Sequence, residues 1–398
     1  MKKFGLIGET LVYSFSPQIH KKLGDYEYVI CETAEKDLPA LLADQSFSGF
    51  NVTIPYKKKV MELCDEISKD SHRIGCVNTV LRGEDGRLYG YNTDYFGFRY
   101  TLRMHHIDPA GRKCLILGTG GASLTVKAVL EDLGASQIVR ISRNGPDNYE
   151  NLFRHYDAQI IVNTTPVGMY PNNLASLIDL SRFSNLRGVV DLIYNPYRTR
   201  LVLTALDMGL PCAGGLDMVV AQAWEASCLF RGIEPESDDG EIEDIMQQIK
   251  EEMLNTVLIG MPGAGKTMLG QMIAERKGHE FLDTDHMVEA EEGMSIPEIF
   301  QTKGEDYFRE VETRMLARAC KQSRKVIATG GGIVTRPENR SIMRQNGHVV
   351  WIKRDLDKLE NTGRPLSQRY RVEKLYRERK DAYESWSDYF IDNNQELH

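Results

Sequence analysis

The sequence predicts an α/β protein built from three successive α/β units, and three observations carry that expectation. Two glycine-rich turns, Gly118-Thr-Gly120-Gly121-Ala122 and Gly260-Met-Pro-Gly263-Ala-Gly265-Lys266-Thr267, each stand between an apolar strand and a helical run. The segments KCLILG, QIVRIS, AQIIVN and LRGVVDL read as successive buried parallel strands, with enough residues between them for crossover helices. Between the two glycine turns, Glu234 to Glu252 carries nine acids and one lysine, which marks a polar linker. Ile242, Ile245, Met246 and Ile249 recur in it at helical spacing, so the linker contains a docked helix rather than a flexible tether. The expected division is therefore an α/β unit at 1–100, completed by helices within 217–250, a dinucleotide-type unit at 101–216, a linker at 234–253 and a P-loop unit at 254–398.

Composition excludes several function classes. A chain of 398 residues, 41% hydrophobic and 27% charged, is too apolar for disorder. A formal net charge of −8 argues against broad nucleic-acid binding, and positive charge must be concentrated locally if phosphates are bound. The seven cysteines contain no C-x-x-C pair and read as free thiols of a reducing compartment. The lead MKKFGLIGET meets Gly5, Gly8 and Glu9 before a secretory apolar stretch can form, and no run approaches about 18 apolar residues. The expected setting is the cytoplasm, with small-molecule substrates and neither nucleic acid nor membrane as partner; oligomeric state is not legible.

In the first unit FGLIG, YEYVIC and FNVTI are strand-like. After the first, Tyr13-Ser14-Phe-Ser16-Pro17 places two hydroxyls two residues apart on what reads as an extended segment, so both can face one carboxylate. Asn51-Val-Thr53-Ile-Pro55-Tyr-Lys57 follows, then Val77-Asn78-Thr79 and Gly90-Tyr-Asn92-Thr93-Asp94. Lysine and aspartate in one pocket make a proton-transfer pair, in which the ammonium protonates a developing alkoxide and the carboxylate orients it. Asn78 and Asp94 suit ring hydroxyls. The turn at Gly118, Gly120 and Gly121 supplies two glycines of G-x-G-x-x-G, with Ser123 in the third place. The next strand ends in Ser142-Arg143 with no acid to grip ribose hydroxyls, which favours a 2′-phosphate and hence NADP.

With Asn163-Thr-Thr165-Pro-Val-Gly168, Asp191-Leu-Ile-Tyr194-Asn-Pro196 and Gly214-Gly215-Leu…Gln222, residues 1–250 resemble the shikimate dehydrogenases. The resemblance implies a substrate domain joined to a Rossmann-like domain and NADPH-dependent reduction of 3-dehydroshikimate. It implies Ser14, Ser16, Thr53, Lys57, Asn78, Asp94, Tyr194 and Gln222 at the substrate, and Gly118, Gly120, Gly121, Ala122 and Arg143 at the cofactor. Asn144-Gly145-Pro146 departs from the threonine-containing basic run common in that family.

In the last unit Gly260–Thr267 matches G-x-x-x-x-G-K-[ST], with strand TVLI before it and a helical run after it. Glycine amides can cradle phosphates, Lys266 adds a point charge and Thr267 can ligate Mg²⁺. Asp283-Thr-Asp285 follows the strand EFL and offers one carboxylate for the metal and one for an attacking hydroxyl. Phe308-Arg309 with Glu312, the glycines 330–332 after KVIAT, Arg364-Pro365-Leu366 and Arg379 follow. The guanidinium forks of Arg309 and Arg379 suit a carboxylate, and Arg364 lies in a polar segment suited to closing over phosphates.

Together these features resemble shikimate kinase, a nucleoside monophosphate kinase-like fold, over about 255–393. The resemblance implies Asp285, Arg309, Gly331, Gly332 and Arg379 at shikimate, Gly263, Gly265, Lys266 and Thr267 at ATP, and Thr267 and Asp283 at Mg²⁺. Asp285 is then the base and Arg364 the lid arginine. The segment around Arg364 is short, with Asp357 and Lys358 in place of a second basic residue, and the family's closing helix is not visible before His398. Because both resemblances concern the same small molecule, the expected protein is a bifunctional enzyme that makes and then phosphorylates shikimate. The alternatives are a ligand-binding kinase-like half acting as sensor or regulator, and an NAD-using quinate dehydrogenase.

Overall fold

The computed structural model of the protein describes residues 1–11, 14–234, 239–359 and 369–394. It divides into two compact units, Met1–Ile249 and Lys250–His398. Among the described residues no helix is long and apolar enough to cross a membrane.

The first unit holds two sheets. One contains β1 (Lys3–Gly8), β2 (Glu27–Glu32), β3 (Gly49–Val52), β4 (Glu66–Ile67), β5 (Thr79–Arg82) and β6 (Leu88–Tyr91) in the order β2-β1-β3-β5-β6-β4. β1 pairs in parallel with β2 and β3, whereas β5 runs antiparallel to both β3 and β6. Ile7, Phe50, Val52, Val77 and Val80 pack with Leu38, Leu42 and Val60 in one core, while Phe4 stacks at 4.0 Å on Phe230 of the helix Leu216–Arg231. Helix residues from beyond 200 thus complete the N-terminal sheet.

The second sheet contains β7 (Lys113–Leu117), β8 (Gln137–Ile141), β9 (Ile160–Asn163), β10 (Gly188–Asp191) and β11 (Cys212–Ala213), all parallel, in the order β11-β10-β9-β7-β8. β7, β9 and β10 are covered on both faces, as their apolar sequences require. The expectation that QIVRIS is a buried strand fails: β8 closes the sheet as an edge and exposes Gln137 and Arg140. An edge strand pairs on one side only and can turn alternate residues to water.

The acidic segment forms the helix Asp239–Met253, with 235–238 outside the described residues. Ile242, Ile245, Met246 and Ile249 are buried, and Trp224 Nε1 donates to Glu241 Oε2 at 2.6 Å. The second unit is one parallel sheet of β12 (Asn255–Ile259), β13 (Glu280–Asp283), β14 (Lys325–Ala328), β15 (Gly347–Lys353) and β16 (Tyr389–Asp392), ordered β13-β14-β12-β15-β16. The central β12 is wholly buried, and the loop after it begins at the carboxyl edge, where parallel sheets bind ligands.

Gly97 fixes how closely two helices of the first unit approach. It lies on the helix Asp94–Met104, and a Cβ there would come 2.6 Å from the Met218 carbonyl oxygen and 3.1 Å from Gln222 N. Gly97→Ala must push the helices apart, with an expected loss of about 1–3 kcal/mol from overpacking. Thermal unfolding should show the N-terminal transition lowered and the C-terminal one unchanged; an unchanged N-terminal transition would contradict the close approach.

Candidate active sites

Lys57 opens the helix Lys57–Met61 and Asp94 opens Asp94–Met104, so both side chains of this pair stand at a helix start. The Lys57 ammonium and Asp94 Oδ2 form a direct ion pair, with side chains only 14% and 7% exposed. The opposite carboxylate oxygen accepts from Asn78 Nδ2 at 3.0 Å. That amide also reaches Thr93 Oγ1 at 3.0 Å and Gln222 Oε1 at 3.4 Å, and Asn78 Oδ1 accepts from Thr93 N at 2.7 Å. Lys57, Asn78, Asp94 and Gln222, four residues singled out in sequence and far apart in the chain, therefore share one hydrogen-bonded cluster. Thr93, Thr79 and Asn51 belong to the same network and had no assigned role. Their signal was a buried asparagine within the otherwise apolar strand GFNV, which must find partners.

Ser14 and Ser16 do not lie on an extended segment as expected. Phe15 is α-helical at φ −88° and ψ 0°, and Ser16 begins the helix Ser16–Leu23, with Pro17 in its first turn, where a missing N–H costs nothing. The two hydroxyls still meet, with Ser14 Oγ donating to Ser16 Oγ at 3.2 Å. Tyr194 joins them. Its ring packs edge-on to Phe15 with centroids 6.2 Å apart, and burial pushes its phenol pKa upward while a hydrogen bond with Ser14 opposes that. Thr53 stands just past β3, its N–H bonded to the Ile7 carbonyl at 2.9 Å.

The dinucleotide-type turn reaches this cluster. Gly118 has φ +111°, and a Cβ there would lie 2.7 Å from Thr164 Oγ1, so glycine is required. A Cβ at Gly120 would meet nothing, which leaves the open side a pyrophosphate needs, and one at Gly121 would sit 3.5 Å from Lys57 Cβ. Gly121 and Ala122 begin the helix Gly121–Asp132, and the buried Ser123 donates to the Gly120 carbonyl at 2.6 Å. Arg143 is exposed just beyond β8, beside the turn through the Gly118 N to Ile141 O bond of 2.8 Å. Its loop is pinned by Asn148 and Asn151, whose amides donate to the Gly145 and Pro146 carbonyls.

In the second unit Gly260, Gly263 and Gly265 all have positive φ, which leaves the loop amides free to converge. Lys266 Nζ folds back onto the Gly260 and Met261 carbonyls at 2.9 and 3.0 Å. Thr267 Oγ1 donates to Asp283 Oδ2 at 2.9 Å, while Asp283 Oδ1 caps the next helix by accepting from Asp285 N at 3.0 Å. The cap and the metal-type acid are one residue. Thr267 with one carboxylate fits Mg²⁺, which keeps waters and phosphate oxygens as its other ligands.

The glycines 330–332 gather the remaining groups. A Cβ at Gly330 would lie 2.7 Å from Asp285 Oδ1, one at Gly331 would strike Pro262, and one at Gly332 would overlap the Arg309 guanidinium. Arg309 Nη1 pairs with Glu312 Oε2 at 2.7 Å, and Arg379 Nη1 donates to the Gly331 carbonyl at 3.0 Å, as does the Tyr383 hydroxyl. Burial raises the pKa of Glu312, with Arg309 opposing it, and one carboxylate oxygen is buried without a partner. Arg364 lies outside the described residues.

These two arrangements define a class: a dinucleotide-dependent oxidoreductase fused to a P-loop phosphotransferase. The family model "Shikimate dehydrogenase substrate binding domain" matches residues 6–80 and "Shikimate kinase" matches 262–398. The shikimate dehydrogenase (NADP(+)) of Clostridium perfringens SM101 is 36% identical over 271 residues, covering 63% of this chain and 99% of that protein. The crystal structure of shikimate dehydrogenase 1 from Peptoclostridium difficile is 37% identical with a TM-score of 0.58, covering 63% of this chain and 98% of the other. The shikimate 5-dehydrogenase of Thermus thermophilus, solved with NADP(H) and shikimate, is 31% identical with a TM-score of 0.56, covering 62% and 99%. The chain belongs to the shikimate dehydrogenase family and carries a shikimate kinase domain, which makes it a bifunctional shikimate-pathway enzyme.

Glu225, one helical turn beyond Gln222, has its carboxyl pushed up to about 8 by burial, with Asp94 and Asp70 adding repulsion. An unfolded chain releases that proton near 4.5, whereas the folded protein holds it to about 8, so this group's stabilising contribution is lost as pH rises through that window. Glu225→Gln removes the dependence. Urea unfolding at pH 8.5 should find the variant more stable in its N-terminal transition by about 1–3 kcal/mol, after discounting for partial exposure, with little difference at pH 4.5. An identical pH slope in both proteins would refute the assignment.

Proposed function

We propose that the N-terminal unit reduces 3-dehydroshikimate to shikimate with NADPH and that the C-terminal unit phosphorylates shikimate with ATP and Mg²⁺. The observation that carries the reading is the Lys57–Asp94 pair, held by Asn78 and set against Gly121 of the dinucleotide-type turn. Bound NADPH supplies a hydride to the ring ketone. Lys57 delivers the proton to the resulting alkoxide oxygen, and Asp94, Asn78 and Gln222 hold the neighbouring ring hydroxyls. Ser14, Ser16, Thr53 and Tyr194 take the remaining substrate contacts, with the serine hydroxyls suited to the carboxylate. Gly118, Gly120, Gly121 and Ala122 cradle the pyrophosphate at a helix start, and Arg143 meets the 2′-phosphate.

In the second unit Asp285 accepts the proton from the attacking 3-hydroxyl as phosphoryl transfer proceeds. Gly263, Gly265, Lys266 and Thr267 hold the triphosphate, and Thr267 with Asp283 holds Mg²⁺, which neutralises developing phosphate charge. Arg309 and Arg379 grip the shikimate carboxylate against Gly331 and Gly332, and Arg364 closes over the phosphates. A domain that only bound ligand would not need Asp285 beside this glycine turn. The working division is 1–100 with helices from 217–250, 101–216, the linker 234–253 and 254–398. The enzyme acts in the cytoplasm on small molecules.

Full-length protein should oxidise NADPH on 3-dehydroshikimate, with NADH much poorer, and release ADP only when shikimate is present. Lys57→Ala should lower dehydrogenase turnover by roughly 10²–10⁴ at nearly unchanged KM, and Asp285→Asn should abolish phosphoryl transfer alone. Near-normal turnover in Lys57→Ala, or ADP release indifferent to shikimate, would overturn the assignment of the affected half.

A further inference from the structure

The phosphate-binding loop has different chemistry on its two flanks. It leaves the central strand β12, and the sheet order places Asp283, at the end of β13, on one side and Arg354, directly after β15, on the other. Lys353 ends that strand and Arg354 follows it, yet the two cations part, because successive residues of an extended chain point to opposite faces. Lys353 Nζ sits over the rings of Trp351 and Phe390, 4.4 and 3.7 Å from their centroids. Arg354 Nη1 instead lies 3.8 Å from where a Cβ of Gly265 would be, against the last glycine before Lys266.

The position of Arg354 is built. Asn393 N bonds to the Lys353 carbonyl and its side-chain amide donates to the Ala264 carbonyl, both at 2.8 Å. Asp355 N donates to Asn394 Oδ1 at 2.8 Å, and Asn394 Nδ2 returns a bond to Asp355 Oδ1 at 3.1 Å. The Asp355 carboxylate is further engaged by Lys358 at 3.8 Å. Arg354 Nε is sealed from solvent and has no hydrogen-bond partner. The guanidinium atom that borders the loop is Nη1, so a phosphate oxygen over Gly265 would come within its reach and gain a charge-assisted bond. Lys266 alone does not neutralise a triphosphate, and its ammonium is already bonded to two loop carbonyls.

We propose that Arg354 is a nucleotide-binding residue of the C-terminal unit, donating to the α- and β-phosphate oxygens on the flank of the loop opposite Thr267 and Asp283. This rests on the kinase reading above and adds a contact made equally in ground and transition states, so it acts on nucleotide affinity rather than on turnover. The test is calorimetric binding of ADP to the full-length chain. Arg354→Ala should weaken ADP by about tenfold or more, the size expected for a charge-assisted hydrogen bond. Arg354→Lys should recover part of that, since it keeps the charge and loses the fork. Lys353→Ala should leave ADP affinity within about twofold, being engaged with rings rather than nucleotide. In kinetics the KM for ATP should rise with kcat and the KM for shikimate little changed, and NADP-linked oxidation of shikimate should stay at the wild-type level in all three. An ADP affinity in Arg354→Ala within about twofold of wild type overturns the proposal; should that variant unfold, Arg354→Lys with unaltered affinity and unaltered salt dependence does the same. Wild-type protein that binds ADP through Arg354 but transfers no phosphoryl group to shikimate would instead overturn the acceptor assignment and leave this contact standing.

Discussion

An ammonium and a carboxylate can share a nearly dry site only if each retains enough hydrogen bonds to replace water, and the N-terminal half of this protein is organised around that requirement. Lys57 and Asp94 are both largely buried, and Asp94 is satisfied by Lys57 on one oxygen and Asn78 on the other. Asn78 is in turn fixed by Thr93, and Thr93 touches Thr79, which accepts from Asn51, which accepts from Tyr28. A continuous polar chain thus runs from β2 through the middle of the sheet to the helix that starts at Asp94. Such a network is stabilising only when complete, because a buried group left unpaired is penalised in the same low dielectric that strengthens its neighbours. This explains why strands otherwise made of valine, isoleucine and phenylalanine carry asparagine and threonine where they face the cluster.

The C-terminal half solves a related problem with a different arrangement. Burial opposes the charge of Arg309, yet Glu312 and Glu305 hold its pKa above the ordinary arginine value, and Gly332 gives the guanidinium room to lie against the backbone. Arg379 and Tyr383 use the Gly331 carbonyl in the same way, and burial pushes the Tyr383 phenol up to about 12. The three glycines are a platform on which two cations and two acids can be packed without a side chain intervening. Asp283 shows similar economy, capping a helix with one oxygen and meeting Thr267 with the other.

Much of each candidate site was legible because its residues sit in short contiguous motifs whose local geometry is set by glycine and by helix starts. The P-loop, the Asp283–Asp285 pair, the Lys57 segment and the Gly118–Ala122 turn belong to that group. What misled was local context. Ser14 and Ser16 read as extended, since proline disfavours helix before it, but Pro17 lies in the first turn of a helix and Phe15 takes up the bend. QIVRIS reads as buried by composition, yet its place at the sheet edge leaves Arg140 in water.

The sequence by itself determined the α/β class, the two glycine-rich strand-to-helix turns and the amphipathic helix of the acidic segment, because backbone freedom at glycine and hydrophobic periodicity are local properties. Only the tertiary structure decided that Gln222 reaches Asn78, that Gly121 lies against Lys57 and that Arg354 borders Gly265. Those are through-space relations between segments distant in the chain, fixed by strand order and by which helices can approach closely, and neither is encoded in any short window of residues.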